Sequence, residues 1–362
     1  MFKNLSIAGA RVGSDPEGFF ERDGKIISSE EILKEPVIYK DRVGYERGRV
    51  VRDGIQLEIQ PLASHCRANA GNFIQCALIA LDDFLKANHP GVTVKFYQSV
   101  EIPKDYFDTL PQESRQLGCM PSKNLYRPRE LDVDPLTYRL RSAGGHLHLG
   151  QLPFEITEDL AKRLVRIMDV VVGNTCVLID RDPGNAVRRK VYGRAGEYRL
   201  PKWGLEYRTL SNFWLHAYPL QSLVYALARQ AVSMVFTTEV QKEQRPEPWN
   251  PEEELLSLVN MKDVVKAINT NDLGLAKKNW AAIREFVKTY WTQGIGINNF
   301  NLEDFEYFAG KVQEHGLNYY WPDDPFQHWI NKPEGHGCGW ESFLADVVYK
   351  QRVADAEREK VA

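Results

Sequence analysis

The chain has 362 residues, 43% of them hydrophobic and 26% charged, an ordinary globular composition that accommodates one large domain or two smaller ones. A formal net charge of -3 creates no strong global field, which disfavours bulk nucleic acid and anionic membrane as partners while leaving room for a local basic site. No run of about 18 apolar residues occurs, so no membrane-spanning helix is expected.

In chain order, the N-terminal stretch lacks the long apolar region of a secretory signal. Residues 4–22 read as a strand, a turn and a second extended piece. Two Asp-Gly pairs, Asp23-Gly24 and Asp53-Gly54, mark hairpins. Residues 68–88 have helical apolar spacing and 92–102 read as a strand. Residues 103–135, rich in Pro and polar residues, suggest a long functional loop. GGHLHLG, residues 144–150, reads as a strand with His146 and His148 on one face. Thr157 followed by acidic residues predicts a helix start, with the helix running to 180. Residues 181–199 look like an arginine-rich loop and 203–215 like another strand. Helices are predicted over 218–240, 252–268, 275–291, 303–314 and 341–359. The five cysteines are scattered, odd in number and without a CxxC pair, which fits reduced thiols in a cytoplasm better than a zinc ribbon. The expected class is α+β with an antiparallel sheet, residues 1–216 forming the sheet-built core and 217–362 a mainly helical region packed on the same domain.

Several charged pairs fall on predicted strands. Asp15 and Glu17 sit two apart, a pattern that suits a hard cation or, equally, a simple DPEG turn. Glu58 shares a strand face with Gln56 and Gln60, as a ligand or as a solvated charge. His146 and His148 suit a metal or a phosphate, or a quiet polar strand face. The glycines before them imply close approach of another group, read here as room for a triphosphate. Arg188, Arg189, Arg194 and Arg199, with Lys190, form the densest basic cluster, and Arg208 follows Glu206 on the next strand. Guanidinium groups bind phosphate or carboxylate through paired hydrogen bonds, although a solvated loop or a nucleic-acid contact has the same composition.

Taken in order, these positions resemble the glutamine synthetase and glutamate–cysteine ligase superfamily, most nearly its phage-type COOH–NH2 amidoligase branch. The likeness runs through most of residues 7–215 and rests on Asp15-Pro-Glu17, Gln56-Leu-Glu58, Gly145-His146-Leu-His148, Arg194 with Arg199, and Glu206-Tyr-Arg208. Two departures stand out. The first acid is Asp15 where glutamine synthetases usually have Glu, and Ser122-Lys123 stands where an acidic residue is expected. No motif transfers to the region after residue 216.

The resemblance implies a curved antiparallel sheet with helices on its convex face, as in glutamine synthetase. It implies ATP and Mg²⁺ (or Mn²⁺) as cofactors. Asp15, His146 and Glu206 would hold one cation, and Glu17 and Glu58 a second. His148 would touch ATP phosphate. Arg194, Arg199 and Arg208 would bind the transferred phosphoryl group, with Arg188 and Arg189 as outer candidates. Glu17, Arg194 and Arg208 are the expected catalytic residues, Glu17 as a candidate base toward the amine. The partners would be a small-molecule or peptide carboxylate and an amine. Two other readings compete: a non-catalytic nucleotide-binding or virion protein, and a metal-dependent hydrolase using the histidines and a carboxylate.

Overall fold

The computed structural model describes residues 9–116, 122–127, 134, 136–244, 249–293, 301–333 and 339–361. The first strands are β1 (Arg11–Ser14), β2 (Glu17–Arg22), β3 (Lys25–Ile27), β4 (Val37–Lys40), β5 (Glu46–Asp53) and β6 (Gln56–Pro61). They are followed by β7 (Thr93–Lys95), β8 (Ser99–Glu101), β9 (Lys123–Asn124), β10 (Leu140–Ser142), β11 (Leu147–Gly150), β12 (Glu197–Arg199) and β13 (Gly204–Tyr207). Every described strand pair is antiparallel, as expected for an α+β chain.

The sheet order shows how the site is built. One ladder runs β1-β11-β13-β12-β9 and another β3-β2-β6-β5-β4, with β8 and β10 forming a separate pair. The two ladders meet where β1 passes into β2. Pro16 separates the strands, and its carbonyl accepts from Ile59 N at 2.9 Å. The Glu17 N–H donates to the Gly144 carbonyl at 2.9 Å, and Val12 bridges to Ser64. A proline fits this junction because it has no N–H to leave unpaired.

Alternation sorts the two faces of the sheet. Leu57 and Ile59 of β6 and Leu147 and Leu149 of β11 are buried in the core, whereas Glu58 and His148 point the other way. The core face of β4–β6 is covered by the helix Arg67–Asn88, which comes close enough that a Cβ on Gly48 would lie 3.0 Å from the Phe73 carbonyl oxygen. Each such Leu, Ile or Phe side chain contributes about 1.5–3 kcal/mol on burial. One contiguous core draws Val12, Leu57 and Leu147 together with Leu227, Phe305 and Trp340, so it spans both sides of residue 216. No described helix is long and apolar enough to cross a membrane.

Several expectations hold and others change. The Asp23-Gly24 turn joins β2 to β3, with both residues at positive φ, 51° and 73°. Thr157 caps its helix by accepting from Leu160 N at 3.2 Å. That helix is not uniform: Glu158–Met168 passes into a π-helical turn, Asp169–Asn174, where the Asp169 carboxylate is bonded by Tyr126, Tyr207 and the Gly196 N–H. The predicted strand 92–102 is two strands, β7 and β8. The strand predicted over 203–215 ends at Tyr207 and gives way to a 3₁₀ turn, Asn212–His216. The helix predicted over 252–268 is two, Pro251–Ser257 and Met261–Thr270, each with an asparagine cap, Asn250 and Asn260. Part of the predicted loop 103–135 forms the short helices Lys104–Thr109 and Gln112–Arg115, and 117–121, 128–133 and 135 lie outside the described residues.

The arginine-rich stretch read as a loop contains a helix, Gly184–Val191. Its buried side chains include Arg188 and Arg189, so the buried face looks like a solvated one in sequence.

Candidate active site

A cavity of about 730 Å³ opens at the β1–β2 junction. Its charged wall includes Asp15, Glu58, His148, Arg199 and Glu206, its apolar wall Leu200, Pro201 and Trp203, and Ser122 and Lys123 also line it. Register brings these groups together: His148 lies opposite Glu206 across β11 and β13, and Arg199 opposite Glu206 across β12 and β13.

Ligand atoms of Asp15, His148 and Glu206 lie within 4.8 Å of one another. His146 reaches the same carboxylate from the other side, its Nδ1 2.9 Å from Asp15 Oδ1 and 3.7 Å from Glu206 Oε1, while His148 Nε2 is 3.2 Å from Asp15 Oδ2. The two histidines therefore face one aspartate, although the strand begins only at Leu147. His146 is fully buried and the Tyr192 hydroxyl meets its Nε2, whereas His148 opens on the cavity beside the Trp203 ring.

Burial would raise Asp15, but His146 and His148 more than offset it and hold the carboxyl well below its usual range. Burial lowers His146 below the usual imidazole range against the pull of Asp15. Burial also opposes charge on His148, but Asp15, Glu206 and Glu58 outweigh it and raise that imidazole.

A second cluster joins Glu17, Asp53 and Glu58, again with ligand oxygens within 4.8 Å. Glu17 and Glu58 face each other directly across β2 and β6, an arrangement that repels when both are ionised. Glu17 Oε2 accepts from Gln56 Nε2 at 2.8 Å and from the Gly144 N–H at 2.7 Å. Burial and then Asp53 push Glu17 well above the usual carboxylate range, despite the Gly144 bond. Burial and Asp15 push Glu58 up to about 8, and the same two causes raise Asp53. Asp53 is absent from the sequence-based set because Asp53-Gly54 reads as a turn. In the structure Asp53 is the last residue of β5, paired with Gln56, and its carboxylate enters the cluster.

The donor chemistry fits divalent cations. Asp15 Oδ1, His146 Nδ1 and His148 Nε2 are buried atoms with no aligned hydrogen-bond partner among the described residues. They lie close to one another, at 2.9 Å for His146 Nδ1 to Asp15 Oδ1 and 3.2 Å for His148 Nε2 to Asp15 Oδ2, without bonding to each other. Three carboxylates crowded on β2, β5 and β6 likewise need positive charge to ionise together. An oxygen-rich set of this kind suits Mg²⁺ or Mn²⁺, whose ligands on opposite sides of an ion stand about 4.2 Å apart.

The arginines divide. Arg199 donates from Nε and Nη2 to the two oxygens of Glu206, both at 2.8 Å, and lines the cavity. Arg208 is buried behind Glu206, with Nη1 3.1 Å from Oε1. Arg188 donates to the Thr209 and Leu210 carbonyls at 3.1 and 2.8 Å, and Arg189 to the Ile268 carbonyl at 2.5 Å. Arg194 donates to the Arg189 and Lys190 carbonyls, tying down the C-terminal turn of the helix Gly184–Val191. Arg188, Arg189 and Arg194 are not among the residues lining the cavity, unlike the placement the resemblance implied.

The glycines of GGHLHLG also serve a different end from the one expected. A Cβ on Gly144 would lie 2.4 Å from His146 Nε2, and one on Gly145 2.3 Å from the Ser211 carbonyl oxygen. The space they leave is filled by the imidazole, Ser211 and Trp214, so it is no room for a triphosphate.

Residues 135–255 match the family model described as phage phiEco32-like COOH.NH2 ligase-type 2. The match bears out the resemblance over the stretch that holds His146, His148, the arginines and Glu206. Asp15, Glu17, Asp53 and Glu58 lie outside it. No curated protein matches the chain.

Proposed function

From a chain whose residues 135–255 match the phage-type COOH–NH2 ligases, we propose an ATP- and Mg²⁺-dependent (or Mn²⁺-dependent) amidoligase with a glutamine synthetase-like catalytic domain. One observation carries the proposal: a cluster of ionisable ligands with histidine lines a cavity beside a bidentate Arg199–Glu206 pair, and a purely acidic cluster reaches the same cavity through Glu58.

In this reading Asp15, His146, His148 and Glu206 hold one cation, and Glu17, Asp53 and Glu58 a second. When bound, the cations supply the positive charge that lets a carboxylate approach a nucleotide triphosphate. The carboxylate oxygen attacks the γ-phosphorus, ADP leaves, and the amine nitrogen then displaces phosphate from the acyl carbon to give an amide. The chain's own groups orient these partners. Arg199 is the guanidinium that opens on the cavity, so it is placed to meet phosphate oxygens. Arg208 acts from behind, holding Glu206 in position. Glu58 opens on the cavity whereas Glu17 is buried, so Glu58 is the better placed carboxylate to take the amine proton. Trp203, Leu200 and Pro201 form an apolar wall that helps exclude water.

The test is an ADP-release screen over pairs of carboxylates and amines, with mass spectrometry of the products. Turnover that requires ATP, a divalent cation, a carboxylate and an amine together is expected. Cation-dependent cleavage of an amide without ATP would replace this reading with the hydrolase. Absence of Mg–ATP binding by calorimetry would favour the non-catalytic reading.

A further inference from the structure

Tyr192 sits where the cluster meets the buried arginines. Two guanidinium groups pack over its ring, Arg188 5.0 Å and Arg208 5.3 Å from the ring centre. Its hydroxyl accepts from Arg208 Nη2 at 2.8 Å and meets His146 Nε2 on the other side. The His146 ring stands edge-on to it, at 83° and 5.6 Å between centres. The next residue makes this possible: Gly193 has φ +72°, and a Cβ there would fall 2.0 Å from Arg188 Nη1.

A guanidinium can only donate, so the phenol oxygen is an acceptor toward Arg208. Toward His146 there are two arrangements. Tyr192 either donates to a bare Nε2, which puts the ring proton on Nδ1, or accepts from an Nε2–H, which leaves Nδ1 bare. The far side of the ring decides between them. Nδ1 is 2.9 Å from Asp15 Oδ1, yet neither atom makes an aligned hydrogen bond. A proton on Nδ1 would be the donor that Asp15 Oδ1 lacks. Two acceptor atoms have no hydrogen bond to align.

We infer that Tyr192 is a positioning residue that accepts the His146 Nε2–H and so holds a bare Nδ1 toward the space shared with Asp15 and Glu206, poised for a divalent cation. The inference rests on the cation-binding reading above. A metal-ligating imidazole commonly donates its second N–H to an oxygen acceptor that fixes ring and tautomer. Here that acceptor is a phenol, itself held by Arg208 and packed against Arg188. The chain of contacts thus links the arginine pair to the cluster without either arginine touching the cation.

Two measurements test it. In the metal-free protein labelled with ¹⁵N-histidine, two-bond ¹H–¹⁵N correlation near neutral pH should show His146 as the Nε2–H tautomer; an Nδ1–H tautomer overturns the inference. Mn²⁺ titration followed by electron paramagnetic resonance then compares Tyr192→Phe with the unaltered protein. Phenylalanine keeps the ring against the arginines and removes only the oxygen, so Mn²⁺ affinity should fall by about 10- to 100-fold, the usual cost of losing such an outer acceptor. Tyr207→Phe, which removes a buried hydroxyl bonded to Asp169 instead, should leave Mn²⁺ affinity unchanged. Equal affinity in Tyr192→Phe and the unaltered protein sinks the Tyr192 role while sparing the ligase reading. An unaltered protein that binds no Mn²⁺ sinks the ligase reading, and the tautomer measurement still decides what Tyr192 does.

Discussion

Arg199 and Arg188 lie eleven positions apart in one basic stretch, and the fold gives them opposite surroundings. The Arg199 guanidinium meets a carboxylate at the edge of a cavity. The Arg188 guanidinium is wholly enclosed and meets the carbonyls of Thr209 and Leu210. The first keeps solvent access and can exchange partners with an incoming anion. The second satisfies the backbone just beyond β13, and leaving would strand two buried acceptors. Charge density in sequence marks both, and only the partner separates a group that can act on a ligand from one that holds the site in shape.

The largest expected effect strikes the residue that joins Arg199 to the buried Arg208. Glu206→Gln removes a ligand of the first cluster and the charge that anchors Arg199 and Arg208. Amide-forming turnover should fall by at least about 100-fold, the scale of losing one preorganised electrostatic element. A folded Glu206→Gln protein with near-normal turnover would show that the cluster is not where the chemistry occurs.

A pair of matched substitutions then breaks or sharpens the contrast directly. Arg188→Met should cost on the order of 3–5 kcal/mol in chemical denaturation, since two hydrogen bonds from a charged group to buried carbonyls are lost. Arg199→Met should change stability less, because its side chain is partly exposed and Glu206 keeps Arg208 as a partner. Its effect should appear in the apparent KM for ATP and in turnover. If the two substitutions gave the same pattern, the division between ligand-facing and carbonyl-facing arginines would not hold.

The sequence reveals the strands better than the partners. Alternation in IQLEIQP and HLHLG places Leu57, Ile59, Leu147 and Leu149 inward, and Glu58 and His148 toward the site, because a strand's two faces follow from its period of two. The junction at Asp15-Pro16-Glu17, where one ladder hands over to the other, leaves no periodic trace. Asp53 is hidden by its neighbour, since Asp-Gly signals a turn and the turn here begins one residue later. Tyr192 is hidden because a tyrosine between arginines reads as a nucleic-acid contact or as nothing. The helix Gly184–Val191 is missed because its buried face contains arginine, a residue whose enclosure depends on carbonyls that come from Thr209, Leu210 and Ile268 far along the chain. Gly144 and Gly145 are legible as sites of close approach, but what approaches is the protein's own His146, Ser211 and Trp214.

Arg194 gives the smallest effect and the sharpest decision. The resemblance assigns it to phosphate, five residues before Arg199. The structure ties its guanidinium to the Arg189 and Lys190 carbonyls at the end of a helix. Those carbonyls belong to the last turn of Gly184–Val191, where a cation also meets the negative end of the helix dipole. Arg194→Ala should therefore cost only about 1 kcal/mol in denaturation, the scale of a helix-end contact, and leave turnover within a factor of two or so. The same helix presents Arg188 to Tyr192, so a slight loosening of its end should lower Mn²⁺ affinity far less than Tyr192→Phe does. A loss of turnover comparable to that of Arg199→Met, at unchanged stability, would mean that Arg194 leaves the helix end when ATP is present and joins the ligand-facing arginines. The boundary between the two groups would then be set by the nucleotide, and the carbonyl contacts would be a resting position for a phosphate-binding side chain.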